Sequence, residues 1–301
     1  MKLESFEDVD GVEVWYRCWA ADAEPRGAVV IAHGASEHSG RYGRFAEALN
    51  MAGLTVCAID HRGHGVTAQS TGAGMPGPRG MEGVLDDLAQ MVDIAAAEVN
   101  APVILFGHSM GSLFVQALVE RGGKRFAGYV LSGCMGPLAE GMGELVDALE
   151  AAADAGMGDE PLDVLGPFNE AFEPARTPYD WLSRDESEVD ASIADPLCGD
   201  DMALTYRYAA GMMNLIRDSM SAEGVARTPS RTPVLLITGS MDPVSNMGAQ
   251  VRVLEEGLRA AGAEVSSIYY QDARHEVLNE TNRDGVTADV IEWIDSVIGS
   301  P

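Results

Sequence analysis

Positive charge is scarce in this chain. Among its 301 residues, 20 Lys and Arg stand against 47 Asp and Glu, which gives a formal net charge of −27. Lysine occurs only as Lys2 and Lys124, so arginine carries nearly all of the positive charge. An excess of acid this large repels nucleic-acid phosphates and anionic lipid surfaces. We therefore expect no nucleic-acid partner.

Long apolar runs and closely spaced cysteines are also absent. No run reaches the roughly 18 apolar residues of a membrane-spanning helix. The first ten residues, MKLESFEDVD, lack the apolar centre of a secretory signal peptide. The cysteines form no CxxC pair, so we interpret them as free thiols and expect no metal site and a cytoplasmic protein. They are Cys18, Cys57, Cys134 and Cys198.

Short apolar runs at regular intervals predict the fold. Because they are almost entirely apolar, they are typical of parallel strands buried on both faces of a sheet. Amphipathic segments between them predict helices. Residues 12–18 instead alternate between apolar and polar, as in an antiparallel edge strand. This pattern predicts an α/β fold with a doubly wound, mostly parallel sheet. The runs lie at 28–33, 54–59, 103–107, 128–133, 233–239 and 266–270.

One long segment interrupts the strand–helix alternation. Residues 134–228 show helical patterns at 138–155 and 202–220 but no convincing strand. An insertion of this length between two buried strands predicts a mainly helical cap over the edge of the sheet. We therefore expect a core domain of residues 1–133 and 229–301 and an inserted cap of residues 134–228.

A serine between two glycines marks the first catalytic candidate. The motif GHSMG at 107–111 directly follows a predicted strand and opens a predicted helix. In that setting it is typical of a nucleophile elbow, which raises the serine hydroxyl above the carboxyl edge of the sheet. A Cβ in place of either glycine would clash with the neighbouring backbone in so tight a turn. Ser109 is the predicted nucleophile.

The order of residues along the chain identifies the partners of this serine. A serine needs a base to take its proton, and after such an elbow the acid comes next and the histidine last. Of the six histidines, only His275 follows Ser109. Asp242 directly follows a predicted strand and is the predicted acid. Asp272 and Glu276 flank the histidine and remain alternatives.

Two backbone N–H groups are predicted to form an oxyanion hole. One belongs to Met110, the residue after the nucleophile. The other belongs to Ala35, in the glycine-containing turn that follows the first buried strand. His33, which precedes this turn, is interpreted as a structural residue that closes the strand.

Taken together, these motifs resemble those of the α/β-hydrolase superfamily. HGASEHSGRY at 33–42 and DHRGHG at 60–65 are similar to its monoacylglycerol lipase and lysophospholipase branch, as are DWLSRD at 180–185 and DPLCG at 195–199. The resemblance covers nearly the whole chain. It implies a serine hydrolase that cleaves carboxylic esters, monoacylglycerols above all, and needs no cofactor. The chain has Ser36 where the family often has glycine, and this hydroxyl could narrow the turn or lie near the acyl oxygen.

The resemblance also suggests roles outside the triad. Arg62 and His64 are expected to brace the loop beneath residues 33–36, which we call the oxyanion turn, rather than to act in catalysis. In the cap, an apolar helical stripe that includes Leu145 and Leu149 is consistent with an acyl tunnel or a transient membrane contact. Packing of the cap onto the core explains the same stripe. Further candidates for an acyl pocket are Leu165, Phe168, Phe172 and Trp181.

Several other functions remain open. A lysophospholipase, a short-chain carboxylesterase and an aminopeptidase-like amidase would use the same triad on another small acyl substrate. Haloalkane or epoxide cleavage would need an aspartate at the elbow, where this chain has Ser109. A non-catalytic scaffold is the remaining alternative, and the intact serine, aspartate and histidine set argues against it.

Overall fold

A single sheet of eight strands forms the centre of the described chain. The computed structural model describes residues 1–122, 126–139 and 141–300. The strands are β1 (Lys2–Glu7), β2 (Glu13–Trp19), β3 (Gly27–Ala32), β4 (Leu54–Ile59), β5 (Val103–His108), β6 (Gly128–Ser132), β7 (Pro233–Gly239) and β8 (Glu264–Tyr270). Their spatial order is β1-β2-β4-β3-β5-β6-β7-β8. β1 and β2 form an antiparallel edge and the remaining strands are parallel, which confirms the predicted mostly parallel sheet.

Helices connect the strands and cover both faces of the sheet. They are α1 (Gly43–Met51), α2 (Ala68–Thr71), α3 (Gly80–Val99), α4 (Met110–Glu120), α5 (Met142–Ala152), α6 (Glu186–Ala194), α7 (Tyr206–Ser219), α8 (Ala222–Val225), α9 (Ala249–Ala260) and α10 (Arg283–Ile298). α1 and α10 contribute to the apolar core on one face, and α3, α4 and α9 to the core on the other. No helix in the described residues combines the length and the apolar character needed to cross a bilayer.

The strand β3 shows why the predicted strands are almost continuously apolar. Val29 and Ile31 belong to the core beside α1 and α10. Ala28, Val30 and Ala32 belong to the core beside α3 and α4. Because successive side chains enter opposite cores, no position of the strand faces water, and every position carries an apolar residue.

The segment between β6 and β7 is mainly helical. α5 and α7 lie within the predicted helical patterns and pack against each other. In the described part of this segment, β-pairing is limited to one bridge between Pro161 and Thr205. The sequence analysis did not predict α6, although Asp185, which accepts a hydrogen bond from the N–H of Ser187 at 3.1 Å, is a typical N-cap. The division into core and cap stays a prediction.

Cys18 and Cys57 form a disulfide, so the expectation of free thiols is wrong for this pair. Cys18 lies on β2 directly opposite Cys57 on β4, with their Cα atoms 4.2 Å apart. Their separation of 39 residues gives no hint of this contact, because the contact depends on β2 pairing with β4 rather than with β3. Cys134 and Cys198 are buried free thiols, as expected.

We predict that replacing both Cys18 and Cys57 by serine lowers the free energy of unfolding by about 2–4 kcal/mol, because the cross-link restricts the unfolded chain. Denaturant unfolding of the variant and the wild type measures this difference. Alkylation of the denatured wild type should label Cys134 and Cys198 before reduction and all four cysteines after it. Labelling of all four without a reductant would contradict the disulfide.

Candidate active site

The turn from β5 into α4 holds Ser109 in a strained backbone conformation. Its φ and ψ are 51° and −119°, a region that non-glycine residues rarely adopt. The N–H of Ser109 donates to the carbonyl oxygen of Ser132 on β6 at 2.8 Å, which anchors the turn to the neighbouring strand. Ser109 lines a cavity at the carboxyl edge of the sheet. The turn therefore has the geometry of a nucleophile elbow.

The two glycines of this turn are required by lack of space. A Cβ on Gly107 would lie 2.4 Å from the carbonyl oxygen of Gly111, and a Cβ on Gly111 would lie 2.1 Å from that of Ala32. Neither glycine is among the residues with positive φ. Lack of space, rather than an unusual backbone conformation, excludes side chains at both positions: the first turn of α4 leaves no room at Gly107, and the end of β3 leaves none at Gly111.

His275 and Asp242 form a buried pair next to the elbow. Nδ1 of His275 lies 3.0 Å from Oδ1 of Asp242, and both residues are at most 1% exposed. Asp242 is held by the N–H of Val244, which donates to Oδ1 at 3.0 Å. His275 and Ser109 line the same small pocket. With Nδ1 donating to Asp242, the neutral ring keeps its acceptor at Nε2.

The other two acids near His275 have different partners. Asp272 is exposed and accepts a hydrogen bond from Gln271 at 2.7 Å. Glu276 is buried and forms an ion pair with Arg41 at 2.6 Å. The structure therefore places Asp242 at Nδ1 of His275 and neither of the two alternatives there.

The surroundings of His275 favour its protonated form. Burial lowers the pKa of His275, but the carboxylate of Asp242, together with those of Glu276 and Glu37, outweighs this effect, and the pKa lies above its ordinary value. The ring of His108 is 4.8 Å from that of His275 between centroids. Burial lowers the pKa of His108 to about 4, so this neighbour is neutral near pH 7. The site thus contains one histidine suited to accept a proton.

Two N–H groups are positioned beside Ser109. The N–H of Gly34 donates to Oε1 of Glu37 at 2.6 Å, which leaves the next N–H in the turn, that of Ala35, for a ligand. Met110 is the first residue of α4, and N–H groups in a first helical turn have no partner within the helix. Ala35, Met110 and Ser109 line the same cavity. This arrangement suits stabilisation of an oxyanion.

Ser36 connects the oxyanion turn to the cap segment. Its φ is 55°, a conformation that glycine adopts without strain, which explains why glycine is favoured at this position. Its hydroxyl donates to the carbonyl oxygen of Met202 at 3.1 Å, and its own carbonyl oxygen accepts from the N–H of Gly199 at 2.9 Å. The hydroxyl is thus bound to the segment between β6 and β7, and Ser36 lines the same small pocket as Ser109.

The residues around the oxyanion turn that were expected to be structural have internal partners. Nδ1 of His33 contacts the carbonyl oxygen of Gly34 at 2.7 Å, and its Nε2 accepts from the N–H of His61 at 3.0 Å. His64 is fully buried, and burial lowers its pKa to about 3. Arg62 is also fully buried and forms ion pairs with Asp8, Asp10 and Asp87.

A large apolar cavity of about 520 Å³ opens onto Ser109. Five of the six acyl-pocket candidates line it: Leu145, Leu149, Leu165, Phe168 and Trp181. Phe172 is not part of its lining, because its ring packs against the guanidinium of Arg274 at 4.3 Å. The sequence analysis missed the contribution of α7, although its spacing indicates one apolar face. The α7 residues that line the cavity are Ala209, Met212, Met213 and Ile216.

Comparison with known proteins identifies the family. Residues 23–282 match the family described as serine aminopeptidase, S33. The chain belongs to this family of α/β-hydrolases. It is 33% identical over 291 residues to a monoacylglycerol lipase of Mycolicibacterium smegmatis, covering 96% of this chain and 95% of that one. It is 32% identical over 244 residues to a monoglyceride lipase of Homo sapiens, covering 80% and 73%.

A solved structure agrees with this assignment. A thermostable carboxyl esterase from Bacillus coagulans, crystallised with glycerol, superimposes with a TM-score of 0.92 at 28% identity and covers 99% of this chain and 98% of that one. The predicted resemblance to the monoacylglycerol lipase-like branch of the α/β-hydrolases is therefore confirmed.

Two clusters of potential metal ligands occur in the described part of the α/β-hydrolase. In the first, Cys18 and Cys57 lie near Glu98, but both sulfurs are in the disulfide. In the second, His38 lies near Asp195 and Cys198. Nδ1 of His38 accepts from the N–H of Gly40 at 3.2 Å, so Nε2 carries the proton and donates to Asp195 at 2.9 Å. Neither cluster presents a complete set of free ligands.

We predict that Gly111→Ala disrupts the elbow, because its Cβ would meet the carbonyl oxygen of Ala32. Overpacking of this kind should lower the free energy of unfolding of the variant by about 1–3 kcal/mol. Gly285→Ala is the matched control, since nothing lies within 4 Å of its Cβ on the exposed side of α10. Equal stability of the two variants in denaturant unfolding would contradict the close approach of α4 to β3.

Proposed function

We propose that this α/β-hydrolase cleaves monoacylglycerols through an acyl-enzyme on Ser109. Membership of the monoacylglycerol lipase-like branch makes it a carboxylic ester hydrolase. The main support for a monoacylglycerol substrate is the apolar cavity that opens onto Ser109. Its volume of about 520 Å³ falls within the range of small-molecule sites. An acyl chain in this cavity would have its ester carbon beside the nucleophile.

The proposed reaction has two halves. As Oγ of Ser109 attacks the ester carbon, Nε2 of His275 takes the hydroxyl proton, and Asp242 stabilises the resulting imidazolium through Nδ1. The N–H groups of Ala35 and Met110 stabilise the oxyanion. His275 then gives the proton to the glycerol oxygen as the C–O bond breaks. Water attacks the acyl-enzyme in the same way and releases the fatty acid and Ser109.

The cap and the core contribute different parts of this site. The core, residues 1–133 and 229–301, supplies the triad and the oxyanion turn. The cap, residues 134–228, supplies most of the acyl wall, with Leu145 on α5 at the rim and 47% exposed. Since the rim is apolar and exposed, a transient contact between the cap and a lipid surface belongs to the same proposal.

The site favours esters over peptide substrates, although the family description names aminopeptidases. An aminopeptidase binds the ammonium group of its substrate through a carboxylate that is available in the pocket. The two buried carboxylates in the small pocket are Glu37 and Glu276, and Arg41 pairs with both. The remaining walls offer an acyl chain more contact than a charged amino terminus.

The first test measures hydrolysis of monoacylglycerols from short to long acyl chains, with Ser109→Ala as the control. We expect kcat/KM to rise with chain length as each added methylene is buried in the cavity, by about 0.8 kcal/mol per buried CH₂ at most. We expect no turnover by the variant. Activity limited to the shortest chains would favour a general carboxylesterase, and faster cleavage of lysophospholipids would favour a lysophospholipase.

The second test uses pH. His275 must be neutral to accept the serine proton, and Asp242 raises its pKa. We therefore expect kcat/KM to fall as the pH drops through an apparent pKa above about 6.5.

Asp242→Asn should reduce kcat by about 10⁴-fold, as the loss of this acid does in other triads. An unchanged pH profile in this variant would exclude Asp242 as the partner of His275.

A further inference from the structure

Two buried glutamates and a largely buried arginine link the two halves of the proposed site. Nη1 of Arg41 lies 2.9 Å from Oε2 of Glu37 and 2.6 Å from Oε1 of Glu276. Nη2 of Arg41 donates to Oε2 of Glu276 at 2.8 Å, so this pairing is bidentate. Arg41 and Glu276 are separated by 235 residues, and the ion pairs hold together segments that are distant in the chain. We call Glu37, Arg41 and Glu276 the ion-pair bridge.

One end of the ion-pair bridge contacts the oxyanion turn. Oε1 of Glu37 accepts from the N–H of Gly34 at 2.6 Å and from the hydroxyl of Tyr42 at 2.8 Å. Gly34 directly precedes Ala35, whose N–H is one of the proposed oxyanion donors. Because the carboxylate holds the preceding peptide, it helps to position the backbone that carries the Ala35 N–H.

The other end of the ion-pair bridge belongs to the loop of the general base. Glu276 directly follows His275, and its N–H donates to the carbonyl oxygen of Leu182 at 2.8 Å. Arg41 therefore binds the side chain of the residue next to the general base. The imidazole itself is held by Asp242, whose Oδ1 lies 3.0 Å from Nδ1.

The ion-pair bridge carries one more negative charge than positive. Burial would raise the pKa of Glu37, but Arg41, the neighbouring histidines and the hydrogen bond from Gly34 together outweigh this effect, and the pKa falls to about 2, so this carboxyl is ionised near pH 7. Arg41 likewise holds the pKa of Glu276 below its ordinary value.

Several groups face His275 from the elements packed around it. Asp242, Glu276 and Glu37 are negative, and each raises the pKa of His275. His108 is neutral near pH 7, and the indole of Trp181 lies 5.0 Å away between ring centroids. Arg41 is the positive member of the ion-pair bridge and is bound to both of its carboxylates. The excess negative charge of the ion-pair bridge therefore adds to that of Asp242.

We infer that the ion-pair bridge positions the oxyanion turn and the general base relative to each other and adds to the stabilisation of the His275 imidazolium by Asp242. Its three members are positioning residues, since none of them touches the reacting atoms in the proposed mechanism. This inference rests on the proposed function, because it assigns the bridge to the same triad. It gives a role to the two buried acids and the arginine that line the small pocket.

The first variant is Glu37→Gln. The amide oxygen can still accept from Gly34, but the amide nitrogen then faces Arg41 and the turn loses its ionic anchor. We expect kcat to fall about tenfold or more, less than the 10²–10³-fold loss on removing a whole oxyanion donor. KM should stay within about twofold, because the acyl cavity is unchanged. A purely structural residue would not separate kcat from KM in this way.

Three further variants test the charge and the bidentate contact at the other end of the ion-pair bridge. Glu276→Gln removes one negative charge beside His275, so the acid limb of kcat/KM should move to lower pH. Arg41→Lys keeps the charge but loses the bidentate contact, and Arg41→Met loses both. We expect kcat of Arg41→Lys to lie between those of the wild type and Arg41→Met.

Glu120→Gln is the matched control. Glu120 is also a buried carboxylate paired with an arginine, Arg227 at 2.9 Å, but it lies at the end of α4 away from the site. This variant should lower the melting temperature without changing kcat or the acid limb. A change in its pH profile equal to that of Glu276→Gln would overturn the inference.

Labelling by a fluorophosphonate separates this inference from the proposed substrate. The label reacts with Ser109 through the same base and oxyanion donors, whatever the natural ester is. We expect the labelling rates of Glu37→Gln and Arg41→Met to fall by the same factors as kcat. If the wild type labels but does not hydrolyse monoacylglycerols, the proposed substrate fails and the ion-pair bridge is still tested. If folded Glu37→Gln and Glu276→Gln label at the wild-type rate with an unchanged acid limb, the inference fails.

Discussion

The start of α4 lies directly against the carboxyl end of β3, so close that a Cβ on Gly111 would come within 2.1 Å of the carbonyl oxygen of Ala32. The parallel pairing of β3 with β5 brings these two segments together. As a consequence, the turn that carries Ser109 and the turn that carries Ala35 are neighbours. The strained backbone of Ser109 is maintained by this packing, since strain at a functional residue persists only where the surroundings over-determine it.

Buried arginines are the second constraint on the site. In a chain with 47 acidic residues, Arg41 and Arg62 are each surrounded by carboxylates in the interior. Arg62 joins the N-terminal turn at Asp8 to α3 at Asp87. Arg41 joins the oxyanion turn to the loop of His275. Arginine suits both positions, because its planar fork binds two carboxylates at once and a lysine would offer only a point charge.

Most of the fold could be predicted from the sequence because a strand buried on both faces appears as a run of consecutive apolar residues. The run at 54–59 coincides with β4, and the run at 233–239 coincides with β7. The serine and the histidine of the proposed triad could also be predicted from the sequence, since Ser109 has a local motif and only one histidine follows it. Sequence distinguishes Asp242 from Glu276 less clearly. Both acids lie near the predicted edge of the sheet, and the decision depends on which carboxylate reaches Nδ1.

Strands β2 to β8, the elbow and the candidates for base and acid could be predicted from the sequence, because each depends on neighbouring residues or on their order along the chain. Only the tertiary structure shows which distant side chains are in contact. It paired Cys18 with Cys57 through the register of β2 and β4, and it turned Phe172 away from the acyl cavity toward Arg274. It also joined Arg41 to a carboxylate 235 residues away. Such contacts depend on how elements are arranged in space, and no spacing along the chain records that arrangement.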